Sequence, residues 1–103
     1  MKYTTDSQIK HDIGRKSCLV EFSASWCMPC RAMTPLLEAL EKKYTKLAFY
    51  GIDIDTNIGA VNQYQISSVP TLLFFRSGKL VHQIIGTATM MQIESAINTY
   101  ILI

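Results

Sequence analysis

The apolar residues of this chain switch repeatedly between the two-residue spacing of a strand and the three-to-four-residue spacing of a helix, and that alternation restricts the fold to the α/β class. Lys2 to Thr4 predicts a short edge strand. Thr5 and Gln8 have capping-box spacing and open a helix carrying Ile9 and Ile13, stopped by Gly14. Cys18 to Phe22 is nearly continuous apolar, as a strand buried on both faces requires, and Glu21 is its one charged member. From Cys27 toward Tyr44 a helical pattern places Leu36, Leu37, Leu40 and Tyr44 on one face, with Pro35 inside it and a kink expected there. Leu47 to Ile54 predicts a second buried strand. Asp55 and Thr56 are expected to cap a short helix with Ile58 and Val61 inward. Thr71 to Phe75, the turn signal Ser77-Gly78 and Lys79 to Ile85 predict a hairpin. Thr89 and Gln92 repeat the capping spacing before a helix with Met90, Ile93, Ile97 and Ile101 inward. The predicted order is β-α-β-α-β-α-β-β-α. It implies a central mixed sheet of about five strands flanked by four helices, mainly parallel, with the final hairpin as an antiparallel edge.

The chain has 103 residues, 49% hydrophobic and 17% charged, which excludes disorder and fits a single domain over residues 1–103. Ten Lys and Arg against eight Asp and Glu leave a net charge of +2, scattered rather than blocked, so no nucleic-acid partner is expected. No apolar run approaches the roughly 18 residues of a membrane helix, and no apolar h-region follows Met1-Lys2-Tyr3. A cytoplasmic location and no membrane partner are the resulting expectations. Three cysteines, an odd number, argue against a disulfide scaffold and leave redox chemistry, metal binding or inert burial.

Trp26-Cys27-Met28-Pro29-Cys30 falls between a buried strand and a helix. Two intervening residues bring both sulfurs onto one helical turn. The helix N-terminus offers unpaired amide hydrogens and a partial positive charge to Cys27, favouring thiolate and lowering its pKa below the free value of about 8.5. Pro29 suits the first turn, where its missing N–H costs nothing. The geometry assigns attack on a substrate disulfide to Cys27, as the exposed first cysteine, and resolution of the mixed disulfide to the deeper Cys30. A structural disulfide or half of a zinc site are the alternatives. The zinc reading would need Cys18, His11 or His82 as further ligands, without a second CxxC or a His pair, so no metal is expected.

With these motifs in view the chain resembles the thioredoxin family across nearly its whole length. The strand, the Trp-Cys-x-Pro-Cys loop and the proline-containing helix match Leu19 to Tyr44, and Val69-Pro70-Thr71 matches the family's cis-proline segment. Gly78 and Gly86 fall at the family's hairpin turn and at its glycine beside the active-site face. The resemblance implies a thioredoxin fold. It implies a cis Pro70 against the cysteine pair, and a Val69 backbone able to pair with an extended substrate, where the residues alone would favour a trans turn proline. With it come Trp26, Met28, Pro29, Val69, Pro70 and Gly86 as the substrate-binding surface.

Three positions depart from the family pattern. Glu21, six residues before Cys27, stands where the family usually has a buried aspartate thought to relay a proton to or from the second cysteine. An apolar setting would raise its pKa and suit it to assist Cys30; a surface-turned or lysine-paired carboxylate is the alternative. Met28 replaces a common glycine, either enlarging a docking patch with Trp26 or staying silent. Gly51 lies where a lysine is frequent, so Glu21 would lack a charge partner. Cys18 reads as a small buried hydrophobe, His11 and His82 as surface residues, Met90-Met91 as helix start and core, and Arg31 as solvated.

The expected activity is reduction of protein disulfides by dithiol–disulfide exchange at Cys27–Cys30, with no bound cofactor. The chain has no glycine-rich nucleotide motif of its own. The resemblance therefore implies electrons from NADPH through thioredoxin reductase, and a monomer acting on protein disulfide substrates.

Overall fold

The structure is a computed structural model describing residues 1–103. In chain order its elements are β1 (Lys2–Tyr3), α1 (Ile9–Ile13), β2 (Cys18–Ser23), α2 (Met28–Lys43), β3 (Ala48–Asp53), α3 (Ile58–Gln63), β4 (Thr71–Arg76), β5 (Lys79–Ile85) and α4 (Met90–Ala96), the last continued by a π-helical turn, Ile97–Ile101. The strands form one sheet in the order β1-β3-β2-β4-β5. β1 and β2 both run parallel to β3, whereas β4 is antiparallel to β2 and β5 antiparallel to β4. The expectation of a mainly parallel sheet is corrected accordingly. The hairpin is not an appended edge: its first strand lies against the central β2, so parallel and antiparallel pairings are equal in number.

The side-chain alternation of the strands divides the core in two. On one face Leu19, Phe49, Leu72 and Phe74 pack against Met33, Leu37 and Leu40 of α2 and against Ile93, Ile97 and Ile101. On the other, Val20, Phe22, Tyr50, Ile52, Leu73 and Phe75 meet Ile9 and Ile13 of α1 and Ala60 of α3. The near-continuous apolar sequence of β2 thus has its cause: both faces are covered. Pro35 lies inside α2, where it cannot donate to the Arg31 carbonyl, yet the helix runs on for eight further residues, to Lys43.

Local signals were right where the partners are close in sequence. Thr89 accepts from the Gln92 amide at 3.1 Å, and the Gln92 side chain accepts from the Thr89 amide at 2.9 Å, a complete capping box. Ser77 (φ 52°) and Gly78 (φ 85°) both take positive φ, the turn that joins β4 to β5.

Two other caps differ from expectation. At Thr5–Gln8 no side-chain cap forms; the Thr5 carbonyl accepts from Gln8 and Ile9 while its hydroxyl lies beside Ser7. Nor do Asp55 and Thr56 cap α3. Asp6 does so from across the molecule, accepting from the amides of Gly59 (3.0 Å) and Ala60 (2.6 Å), while its own amide donates to Asn57 Oδ1. With the helix entered at Asn57, Ala60 is the buried residue and Ile58 is exposed.

Met91 is also exposed, so only Met90 of that pair contributes to the core. His82 is half-buried, between Phe74 and a Tyr100 ring stacked on it at 4.1 Å, rather than a free surface residue.

Candidate functional site

The strand β2 ends at Ser23, and the chain turns through Ala24, whose carbonyl accepts the Cys27 amide at 3.1 Å. Cys27 is the N-cap of α2, in extended conformation (φ −89°, ψ 103°), and its sulfur accepts the Cys30 amide at 3.2 Å. An unpaired amide of the first helical turn therefore points at Cys27 Sγ, as the sequence position implied. Pro29 occupies the first turn without loss of a needed donor. Cys27 and Cys30 are joined as a disulfide, with Cα atoms 5.3 Å apart.

The expected contrast in depth between the two cysteines is not present in this oxidised state: Cys27 is 4% exposed and Cys30 3%. The reason is the surroundings. Ala24, Ile54 and Val69 pack around the pair, while Trp26 and Met28 stand out on either side of Cys27 at 64% and 69% exposure. Trp26 is held by its indole N–H, which donates to Asp55 Oδ2 at 2.9 Å. Arg31, expected to be merely solvated, donates to the Ser25 carbonyl at 2.8 Å and ties the loop to the helix. Neither of these contacts carried a sequence signal, because both depend on how the loop closes.

Across from the pair, the Val69–Pro70 peptide bond is cis, Pro70 is buried, and its carbonyl accepts the Gly86 amide at 2.8 Å. None of the backbone hydrogen bonds uses the amide or carbonyl of Val69.

Glu21 lies on the same sheet face as Leu19, beneath α2. It is 1% exposed, and neither carboxyl oxygen has a hydrogen-bond partner. It forms no salt bridge, which rules out a lysine-paired or surface-turned carboxylate. Burial pushes its pKa up from 4.5 to about 7. Gly51 is its direct neighbour on β3 and Leu72 on β4. A groove of about 290 Å³ opens to solvent beside the pair, lined among others by Cys30, Tyr3, Arg31 and Asp53.

Cys18 is fully buried at the far end of β2, and burial pushes its thiol up to about 12. No group of three or more His, Cys, Asp or Glu side chains is placed to hold a metal ion. No helix is long and apolar enough to cross a membrane.

A cysteine pair one helical turn apart, at the N-cap of a helix that leaves a central strand, facing a cis-proline loop, defines a thiol–disulfide oxidoreductase site. Residues 1–99 match the family model Thioredoxin, and the chain belongs to the thioredoxin family. It is 35% identical to the thioredoxin of Porphyra purpurea over 100 residues, covering 94% of both chains. It is 36% identical to that of Buchnera aphidicola, covering 94% of this chain and 92% of the other. With Thioredoxin-2 of Saccharomyces cerevisiae it shares 37% identity over 73 residues, covering 71% of this chain and 70% of that protein.

A chain from a structural study of the thiol resolving mechanism in yeast mitochondrial 1-Cys peroxiredoxin via glutathione/thioredoxin systems superposes with a TM-score of 0.88. It is 25% identical, and the match covers 96% of this chain and 94% of that one. The protein is a protein-disulfide reductase whose redox centre is its own disulfide, Cys27–Cys30, with no prosthetic group.

Proposed function

We propose that the residues of the site divide the reaction as follows. In the reduced protein the Cys27 thiolate attacks one sulfur of a substrate disulfide; the substrate S–S bond breaks, its other sulfur leaves as a thiolate, and a Cys27–substrate mixed disulfide remains. Cys30 then loses its proton to the Glu21 carboxylate and attacks Cys27 Sγ. The mixed disulfide breaks, the second substrate sulfur leaves, and the Cys27–Cys30 disulfide forms. Two electrons pass from the dithiol to the substrate, and the two protons of the dithiol end on the substrate thiols or in solvent. The observation that carries this assignment is the Cys30 amide directed at Cys27 Sγ from the first turn of α2. It stabilises negative charge on Cys27 Sγ and so raises the share of thiolate available for the first attack.

Substrate docks on Trp26, Met28, Pro29, Val69, Pro70 and Gly86. The free amide and carbonyl of Val69 suit pairing with an extended substrate segment, and the exposed Trp26 and Met28 offer apolar contact beside it. The oxidised protein is returned to the dithiol by thioredoxin reductase with electrons from NADPH. The protein works in the cytoplasm as a monomeric single domain over residues 1–103, without nucleic-acid or membrane partners.

Trapping tests the order of attack. Cys30→Ser is expected to accumulate a mixed disulfide with insulin through Cys27, seen by mass spectrometry of non-reduced digests, while Cys27→Ser accumulates none. The reverse pattern would exchange the roles. Turnover of insulin with NADPH and a thioredoxin reductase tests the electron source.

A further inference from the structure

Glu21, Gly51 and Tyr3 lie side by side across three strands: Glu21 pairs with Gly51 between β2 and β3, and Gly51 with Tyr3 between β3 and β1. A Cβ built on Gly51 would lie 2.7 Å from Tyr3 Cε2, 3.0 Å from Cζ and 3.1 Å from Cδ2. The Tyr3 ring therefore fills the space that a side chain at 51 would occupy. It leans from the sheet edge toward Glu21, and its opposite side is open, since Tyr3 is 57% exposed. The same ring lines the groove that Cys30 lines. Tyr3 thus stands on the outer side of Gly51, one strand beyond a buried carboxyl with two unpartnered oxygens.

Building on the role given to Glu21 above, we propose that Tyr3 is a positioning residue. Its ring, seated over Gly51, keeps water from the Glu21 carboxyl and thereby sets the pH at which Glu21 exchanges the Cys30 proton.

The contact is made by the ring, and a glycine in the interior of β3 costs that strand packing and conformational entropy. The close approach of the ring is what the glycine makes possible. The surrounding charges do not compete for this function. From α2 the facing groups are Cys30, Arg31, held by the Ser25 carbonyl, and Glu38; from β3 it is Asp53 at the groove rim; β4 presents only Leu72 opposite Glu21. Glu21, Glu38 and Asp53 all act on the Tyr3 phenol, raising its pKa after the larger effect of its own partial burial, so the hydroxyl stays neutral and the ring is the active part.

The test is a titration of the Glu21 carboxyl carbon by NMR in the oxidised protein, for wild type, Tyr3→Phe and Tyr3→Thr. Thr keeps the strand preference of position 3 and removes the ring; circular dichroism checks that each variant is folded. Tyr3→Phe is expected to titrate with wild type. Tyr3→Thr is expected to titrate lower by about one pH unit or more, as water reaches the carboxyl. A Tyr3→Thr midpoint equal to wild type overturns the proposal, and so does a Tyr3→Phe midpoint that falls with it, which would assign the effect to the hydroxyl. The reading of Glu21 itself is tested separately, by the pH profile of mixed-disulfide resolution in Glu21→Gln. A profile identical to wild type would sink Glu21 as proton acceptor while leaving the carboxyl titrations to decide on Tyr3.

Discussion

Replacing Glu21 by Leu should change the pH dependence of stability more than any other single substitution in the sheet. In the unfolded chain the carboxyl ionises at its ordinary 4.5; in the folded protein burial delays this to about 7. Between those values the folded state holds a proton that the unfolded state has released. Wild-type stability therefore falls as the pH rises through that window and levels off above it. A separation from 4.5 to about 7, at ~1.36 kcal/mol per unit, corresponds to a loss of about 3 kcal/mol. Glu21→Leu has no proton to exchange, so its stability should stay flat across the window. It also removes two orphaned oxygens, which adds a gain independent of pH, of about 1–3 kcal/mol. The assay is urea unfolding of the oxidised proteins from pH 4 to pH 8, with midpoints and m-values fitted at each pH. The expected difference between variant and wild type grows by about 3 kcal/mol on going from pH 4 to pH 8, the figure derived from the shift of Glu21. A constant difference over that range would refute the claim that burial in the sheet raises the Glu21 pKa.

Two further outcomes are expected. Asp6→Ala leaves the Gly59 and Ala60 amides without their acceptor and should cost about 1–2 kcal/mol in urea unfolding, with activity in insulin reduction retained because α3 lies on the sheet face away from α2. Cys18, buried and with its thiol pushed up to about 12, should resist iodoacetamide in the reduced native protein and react only in denaturant; mass spectrometry of the digests would show any native labelling at Cys18.

Much of this protein was legible in the chain because its determinants are local. The strand-to-helix junction at Cys27, the capping box of Thr89 and Gln92 and the turn at Ser77-Gly78 each depend on residues within one turn of one another, so their spacing carries the signal. The apolar run of β2 announced a strand covered on both faces before any partner was known.

Tertiary structure alone decided what depends on contacts between distant segments. That Asp6 rather than Asp55 caps α3 follows from a contact spanning more than fifty residues, and spacing cannot encode it. The antiparallel placement of β4 against β2 follows from which strands pair, a choice open to any run of apolar residues. The near-equal burial of Cys27 and Cys30 comes from Ala24, Ile54 and Val69 closing around them.

Glu21 shows the division most clearly. Its position six residues before Cys27, as the one charge in a buried strand, singled it out from sequence. Its raised pKa comes from desolvation, and desolvation is a property of everything packed around a group. The Tyr3 ring over Gly51 belongs to that surrounding, brought there by the pairing of β1 with β3 across nearly half the chain.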